Sequence, residues 1–191
     1  MGMANNWRTT AYERGMVFPC DCRIKEYDPA STLYRGISIK APPGAVFKWV
    51  SQLRIAPYSY DWIDNRGRSS PRRLIPDLPP LDSGQTIMGE FEIVAFEMDK
   101  SLTFRAKREA LRKYQLQDLV ASYLIYPADD QTSRLLVKCL MKYHGNPVAK
   151  CIQCLMPWLD LIMMRKQFLN LKLLSETKGV KIYGDNPISP I

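Results

Sequence analysis

The C-terminal segment from about Ala149 to Thr177 constrains the fold more than any other part of the sequence. Apolar residues recur along it at helical spacing and form one stripe: Leu155, Leu159, Ile162, Leu169 and Leu173. Further apolar side chains flank or widen this stripe: Met156, Trp158, Leu161 and Met163. A helix that is apolar over so wide an arc is expected to be buried on more than one side. Pro157 removes a helical hydrogen bond, so we expect the helix to start or kink there.

Upstream of this segment, alternating apolar and polar residues predict a series of strands. The segments 85–98, 102–106, 118–126 and 134–144 follow one another through short turns, which favours an antiparallel meander. The first segment loses its alternation near residues 89–91, which indicates two strands or a bulge. A strand at 34–40 and an amphipathic helix within 41–53 come earlier. The order predicts an α+β fold, in which a bent antiparallel sheet wraps around the C-terminal helix.

Length and composition are those of one ordinary globular domain. The chain has 191 residues, of which 46% are hydrophobic and 24% are charged. Its five cysteines are an odd number, and MGMANNWRTT lacks the apolar core of a secretory signal, so we expect reduced thiols and a cytoplasmic protein. The longest apolar run, 151–164, is interrupted by Asp160 and is shorter than the roughly 20 residues that span a bilayer. No membrane-spanning segment is therefore predicted.

Three segments together resemble the SRPBCC or START-like helix-grip superfamily, and among its members the uncharacterised polyketide-cyclase-like proteins. They are ISIKAPPGAVFKWV at the first strand and helix, the loop YSYDWIDNRGR with the IP, L and GQ that follow it, and MMRKQFLNLK in the last helix. The resemblance covers about Tyr34 to Glu176. It divides the chain into an N-terminal arm (1–33), a helix-grip domain (34–178) and a C-terminal tail (179–191).

The resemblance implies a cavity between the concave face of the sheet and the long helix, with the loops as its mouth. On that basis the ligand-binding residues are Arg54, Tyr58, Tyr60, Asp61, Trp62, Phe91, Phe104, Tyr123, Met141, Trp158, Leu159 and Met163. In the loop PYSYDWIDN, the aromatic residues would line the cavity while Asp61 and Asn65 hydrogen-bond the loop backbone or point inward. The alternative is that Tyr58 and Trp62 are core residues and the aspartates cap turns. Arg54 would hold an acidic ligand group, or pair with Asp61 or Asp64.

Few residues carry a signal for catalysis or metal binding. His144 is the only histidine, and strand parity places it at the surface or sheet edge. Cys151 and Cys154 have metal-like spacing but lack a companion pair, and Cys139 and Cys154 are better interpreted as small buried residues. Glu90 and Glu92 are expected to face solvent because Phe91, between them, is expected to face inward. We therefore predict no metal and no cofactor, and name no catalytic residue.

Three functions remain open. The first is binding or carrying a small hydrophobic molecule or lipid in the cavity. The second is an enzyme of the cyclase, dehydratase or hydrolase type, in which Arg54, Tyr60 or Asp61 would orient a polarised carbonyl. The third is an electrostatic contact with nucleic acid or anionic membrane through an arginine cluster, which comprises Arg66, Arg68, Arg72 and Arg73 in a chain of net charge +8. No nucleic-acid motif accompanies the cluster, so nucleic acid is the least favoured partner. Ionisable groups that converge inside the cavity would favour an enzyme. A cavity lined only by apolar side chains would favour a protein that binds or carries its ligand.

Overall fold

The computed structural model describes residues 2–65 and 67–177; for Asp64 it describes the backbone only. Arg66 and the predicted tail 179–191 therefore lie outside the described residues. The strands are β1 (Asn6–Trp7), β2 (Leu33–Ile39), β3 (Thr86–Ile87), β4 (Phe91–Glu97), β5 (Ser101–Ala106), β6 (Leu116–Pro127) and β7 (Ser133–Tyr143). The α-helices are α1 (Ala11–Arg14), α2 (Pro43–Ser51), α3 (Asp61–Asp64), α4 (Arg108–Lys113) and α5 (Pro147–Glu176).

The strands form one sheet in the order β1-β2-β7-β6-β5-β4-β3. Every neighbouring pair is antiparallel except β1 and β2, which are parallel. The predicted meander is confirmed as β4 to β7, and the predicted break near 89–91 separates β3 from β4. Met88 and Gly89 both have positive φ there, at 49° and 74°. The short helix α4, which no sequence pattern assigned, interrupts the meander between β5 and β6.

Both faces of the central strand β7 are covered. Leu135 and Val137 belong to the inner core, which α2 and α5 cover. Leu136 and Leu140 point to the outer face and pack against Phe18 from the N-terminal arm. Cys20 and Ile24 complete this outer cluster with Val120 and Leu124. The arm, which no sequence pattern assigned, therefore covers apolar residues that the outer face of the sheet would otherwise expose to water.

The long helix α5 packs on the sheet differently from the prediction. Its buried side chains are Ala149, Gln167, Phe168 and Leu171, and it lies chiefly against α2, β2 and β7. The apolar stripe of the helix was expected to be buried by the sheet that wraps around it, but its members Leu155, Leu159 and Ile162 are 61%, 56% and 53% exposed. That expectation was wrong, because these three residues lie on the side of the helix opposite to the buried ones.

The boundaries of α5 also differ from the prediction. The helix begins at Pro147, where the Asn146 side chain accepts a hydrogen bond from the Ala149 N–H at 2.8 Å, and it continues through Pro157. The prediction that the helix starts at Pro157 was therefore wrong. Among the described residues, α5 is the one helix that is long and apolar enough to cross a membrane. One helix of this kind is weak evidence for a membrane span, because length and composition are the only criteria, and little of its apolar stretch is buried in this fold.

A buried carboxylate holds the N-terminal arm to the sheet. Glu13 in α1 accepts hydrogen bonds from Arg134 Nε at 2.7 Å and from the Tyr126 hydroxyl at 2.9 Å. It also completes a capping box with Thr10. Burial raises the pKa of Glu13, but the hydrogen bonds from Arg134, Thr10 and Tyr126 outweigh that effect and lower the pKa to about 2. The charged form of Glu13 therefore stabilises the fold.

We predict that Glu13→Gln lowers the free energy of unfolding at neutral pH by roughly 3 kcal/mol, since each pKa unit corresponds to about 1.4 kcal/mol. A lowered pKa gives a stabilisation that is complete above the unfolded value near 4.5 and is lost as the pH falls toward 2. Urea unfolding at neutral pH and at about pH 3 should show the deficit shrinking in acid. Glu97→Gln, at an exposed carboxylate, is the control. An equal deficit at both pH values would contradict the role of the charge.

Candidate functional site

The loop between α2 and β3 is fastened to the C-terminal half of α5. Gln167 Nε2 donates to the Pro57 carbonyl at 2.7 Å, and Asn170 Nδ2 donates to the Tyr58 carbonyl at 2.8 Å. Tyr58 is 1% exposed, its ring packs edge-on against Trp49, and its hydroxyl accepts from Gln52 Nε2 at 3.0 Å. Tyr58 is therefore a core residue, and the loop closes this end of the space between sheet and helix.

Asp61 and Asn65 shape the loop itself. The Asp61 carboxylate accepts from the Ser70 N–H at 2.8 Å and from the Ser70 hydroxyl at 2.5 Å. Asn65 Nδ2 donates to the Arg68 carbonyl at 2.5 Å. Asp61 and Asn65 were predicted either to hydrogen-bond within the loop or to point into the cavity, and the structure contains the hydrogen bonds within the loop. Trp62 is 76% exposed, so the alternative that made it a core residue was wrong.

Arg54 and Tyr60 lie at the borders of the same loop. The Arg54 guanidinium donates through Nη1 to the Pro80 carbonyl at 3.2 Å and to Gln85 Oε1 at 3.1 Å. It does not pair with Asp61, whose oxygens are occupied by Ser70. Tyr60 is half-buried and precedes α3 as its N-cap residue. Whether Arg54 and Tyr60 contact a ligand stays a prediction.

Aromatic side chains form a row across the inner face of the sheet. The ring centroids of Phe91 and Phe104 are 5.1 Å apart, those of Phe104 and Tyr123 are 5.8 Å apart, and those of Tyr123 and Phe168 are 6.4 Å apart. The buried Tyr123 hydroxyl donates to Gln167 Oε1, and burial raises the pKa of Tyr123 strongly. Met141 is buried in a neighbouring cluster with Tyr143. Four of the predicted binding residues, Phe91, Phe104, Tyr123 and Met141, are thus brought together on this face.

A buried ion pair, which the sequence analysis missed, links the inner face to α5. Arg35 in β2 is 1% exposed, and its Nη2 and Nε lie 2.6 Å and 2.9 Å from Asp160 Oδ2. Arg35 also donates to the carbonyls of Tyr34 and Pro157. Burial raises the pKa of Asp160, and the neighbouring Arg35 opposes that rise. Strand alternation was the available signal, because Arg35 shares its face with Ile37 and Ile39.

The N-terminal half of α5 is less deeply buried against the inner face than the C-terminal half. No side chain of α5 between Lys150 and Lys166 is fully buried, although most of this stretch is apolar. Phe91 and Cys139 are only half-buried, and both contact the two apolar clusters of the inner face. Ile152, Met156 and Met164 are the half-buried helix residues that pack on those clusters.

The three predicted binding residues on this half of α5 are placed differently from one another. Trp158 and Leu159 are 57% and 56% exposed and point away from the sheet, while Met163 is half-buried. Two surface depressions lie elsewhere. One, of about 640 Å³, borders the start of α5 and is lined by residues that include Lys142, His144 and Lys150; the other, of about 540 Å³, lies between the arm and β5. His144 is exposed, as its strand parity predicted.

The five cysteines are free thiols in different surroundings. Cys22, Cys151 and Cys154 are exposed, so the interpretation of Cys154 as a buried residue was wrong. Burial raises the pKa of Cys20 to about 11 and that of Cys139 well above its ordinary value. Within residues 2–65 and 67–177, no group of three or more histidine, cysteine or acidic side chains is arranged to hold a metal ion. The absence of a metal stays a prediction.

Comparison with solved structures identifies the fold. A hypothetical protein from Helicobacter pylori is similar at 17% identity, covering 84% of this chain and 96% of that chain, with a TM-score of 0.52. A protein from Arthrobacter aurescens is similar at 11% identity over 86% and 99% of the two chains, with a TM-score of 0.51. Norcoclaurine synthase from Thalictrum flavum is similar at 6% identity over 75% and 84%, with a TM-score of 0.50.

No family model and no curated protein sequence matches the chain. The structural similarities therefore concern the fold alone, and they confirm the predicted helix-grip fold, in which an antiparallel sheet packs on a long C-terminal helix.

We predict that Arg35 and Asp160 depend on each other for stability. Asp160→Leu leaves a buried, unpaired guanidinium and should cost about 3–5 kcal/mol in the free energy of unfolding. Adding Arg35→Met should restore most of that loss, because the double variant buries no charge. Urea unfolding of the four chains of this double-mutant cycle measures the coupling. The exposed pair Lys100 and Glu97 is the control, with a coupling below about 1 kcal/mol. Additive losses at Arg35 and Asp160 would contradict the prediction.

We further predict that the thiols separate into two reactivity groups. Cys22, Cys151 and Cys154 should react rapidly with a chromogenic thiol reagent in the native protein, because they are exposed. Cys20 and Cys139 should react rapidly only after unfolding. Replacing Cys151 by Ser and Cys154 by Ala should leave the protein folded. Bound zinc that is present in the wild type and lost in that variant would contradict the free-thiol assignment.

Proposed function

We propose that this protein binds or carries a small hydrophobic molecule between the inner face of the sheet and the N-terminal half of α5. The observation that carries the proposal is the shallow burial of this apolar stretch of helix, which has no fully buried side chain between Lys150 and Lys166, opposite the half-buried Phe91 and Cys139 of the sheet. A bound apolar molecule would remove from water the apolar surface that the helix leaves accessible.

The residues around this region suit an adaptable apolar site. Met156 and Met164 have flexible thioether side chains that adjust to ligands of different shape. Phe91 and Phe104 offer an aromatic wall whose position is fixed by their edge-on contact. These properties support a site in which apolar enclosure supplies most of the affinity.

The Arg35–Asp160 pair is the polar group that we assign to the ligand's polar end. Among the described residues, this is the one salt bridge that joins the sheet to α5. The Asp160 side chain is 25% exposed, whereas that of Arg35 is 1% exposed, so Asp160 is the member within reach of a ligand. A hydroxyl or amide on the ligand can donate to that carboxylate, and such polar contacts orient a ligand in an apolar site.

The proposal is tested with 1,6-diphenylhexatriene, an uncharged fluorescent probe, and with native mass spectrometry of the purified protein for a co-purified apolar molecule. The probe should bind the wild type. Met156→Trp, which fills the proposed space, should weaken probe binding about tenfold, or by about 1.4 kcal/mol. Thermal unfolding of the variant establishes that the fold is retained.

Leu159→Arg, on the exposed side of α5, is the matched control and should leave probe binding unchanged. Loss of binding in Leu159→Arg with retention in Met156→Trp would place the probe on the outside of the helix and contradict the proposal. Tyr60→Ala and Arg54→Ala test the loop as an entrance, and weaker binding in either would assign the loop a part in the site.

The alternative is an enzyme of the cyclase, dehydratase or hydrolase type in the same space. One observation favours it: burial raises the pKa values of Cys139, Tyr123 and Asp160, and Asp160 lies near enough to the other two groups to add to their rise. A buried carboxyl with a raised pKa suits a general acid or base. The thiol of Cys139 is not suited to nucleophilic attack, because its raised pKa keeps it protonated. Turnover of a bound molecule that is lost in Asp160→Asn while binding remains would favour the enzyme.

A further inference from the structure

The exposed side of α5 carries an apolar heptad pattern. We call it the outer stripe, and its members are Val148, Ile152, Leu155, Leu159, Ile162, Leu169 and Leu173, with Lys166 at the one polar position. Successive positions alternate between spacings of four and three residues from Val148 to Leu173. Ile152 lies at the border of the outer stripe, where it is half-buried and also packs on the apolar cluster that contains Met141 and Tyr143. The other apolar members are between 40% and 61% exposed.

The outer stripe has no covering segment within residues 2–65 and 67–177. The side chains that face the sheet, among them Ala149, Gln167 and Leu171, lie on the other side of the helix. At 1.5 Å per residue the stripe is about 38 Å long, which exceeds three heptads and is sufficient for a stable helix–helix seam. Isolated exposed apolar residues are common on protein surfaces, but a continuous row of this length indicates an interaction surface.

The spacing identifies a helix as the partner. A strict seven-residue repeat drifts around a straight α-helix by about 20° per heptad, so the outer stripe winds with a left-handed twist. A second helix that supercoils around α5 follows such a seam with interlocking side chains. A flat bilayer surface favours a stripe of period 3.6, parallel to the helix axis.

We propose that the partner is α5 of a second copy of this chain, packed antiparallel along the outer stripe. In a parallel pair, Lys166 would face Lys166 of the second copy, and two like charges would meet in an apolar seam. An antiparallel pair centred between Leu159 and Ile162 places Lys166 beside Leu155 of the second copy, where its aliphatic stem packs and its ammonium group reaches water.

The residues at the edge of the outer stripe fit the same arrangement. Arg165 and Trp158 are both exposed and flank the stripe on the side away from the sheet. In the antiparallel pair, Arg165 of one copy lies opposite Trp158 of the other, which allows a cation–π contact on each side of the two-fold axis. Asp160 is the one acidic residue between Pro147 and Ser175, and Arg35 neutralises it, so no carboxylate on this side of α5 selects a basic partner.

Sedimentation equilibrium of the full chain tests the proposal, with a dimer as the expected result. Leu159→Arg introduces a charge at the centre of the seam and should raise the dimer dissociation constant about 100-fold or more. Because Leu159 is 56% exposed in the single chain, the variant should keep the wild-type circular dichroism spectrum. Val17→Arg, at an arm residue that is 85% exposed, is the matched control and should leave the dimer intact.

Cross-linking tests the orientation. In a chain whose exposed Cys22, Cys151 and Cys154 are replaced by Ser, Val148→Cys and Leu173→Cys are introduced separately and the two chains are mixed. The antiparallel arrangement predicts a disulfide between the two different chains. It predicts no disulfide between two Val148→Cys chains, which only a parallel pair would bring together.

Three results would overturn the proposal. A chain that stays monomeric at millimolar concentration has no self-association through α5. A dimer that Leu159→Arg leaves unchanged uses another surface. A monomer that binds phosphatidylserine vesicles through the outer stripe, and loses that binding in Leu159→Arg, has a membrane rather than a second copy as its partner.

Discussion

The ion pair between Arg35 and Asp160 determines how α5 is oriented on the sheet. A guanidinium that is 1% exposed requires a nearby carboxylate and further acceptors, which Asp160 and the Tyr34 and Pro157 carbonyls provide. Turning Asp160 toward the sheet fixes the rotation of the helix about its axis. Side chains about half a turn away, such as Leu155 and Ile162, must then face solvent. The exposed apolar surface of α5 therefore follows from this buried charge together with Phe168 and Leu171, which face the sheet on the same side of the helix.

The two halves of α5 have different roles as a result. The C-terminal half is held by Phe168 and Leu171 in the core and by hydrogen bonds from Gln167 and Asn170 to the preceding loop. The N-terminal half is held by polar contacts, from Arg35 to Asp160 and to the Pro157 carbonyl and from Gln153 to Ser31. It has no fully buried apolar side chain after Ala149, and Phe91 on the facing sheet stays half-buried. The proposed ligand site and the proposed dimer seam lie on opposite sides of this half of the helix. Either function can therefore be present without the other.

Most of the fold follows from local sequence patterns, and the missing parts depend on contacts between distant residues. Alternation of apolar residues predicted β4 to β7, and a proline followed by an amphipathic run predicted α2, because period and sterics act within a few residues. The arm was not predicted. Its structure depends on two contacts, that of Phe18 with Leu136 and that of Glu13 with Arg134. In each contact the two residues are more than a hundred positions apart in the chain. Leu136 and Leu140 on the second face of β7 were the signal that a cover was required.

The candidate site likewise combines features that follow from local sequence patterns with features that depend on contacts between distant residues. The sequence by itself determined that the protein would have a strand meander, a long apolar helix and an aromatic loop beside it. The family resemblance also grouped Phe91, Phe104 and Tyr123 as ligand-binding residues, and the structure places their rings in one row on the inner face of the sheet. Only the tertiary structure decided that Tyr58 is buried while Trp62, four residues later, is 76% exposed. It likewise decided which side of α5 faces the sheet. The helical pattern shows that α5 has an apolar stripe. Whether that stripe faces the sheet or the solvent depends on residues far away in the chain, such as Arg35, which neutralises Asp160.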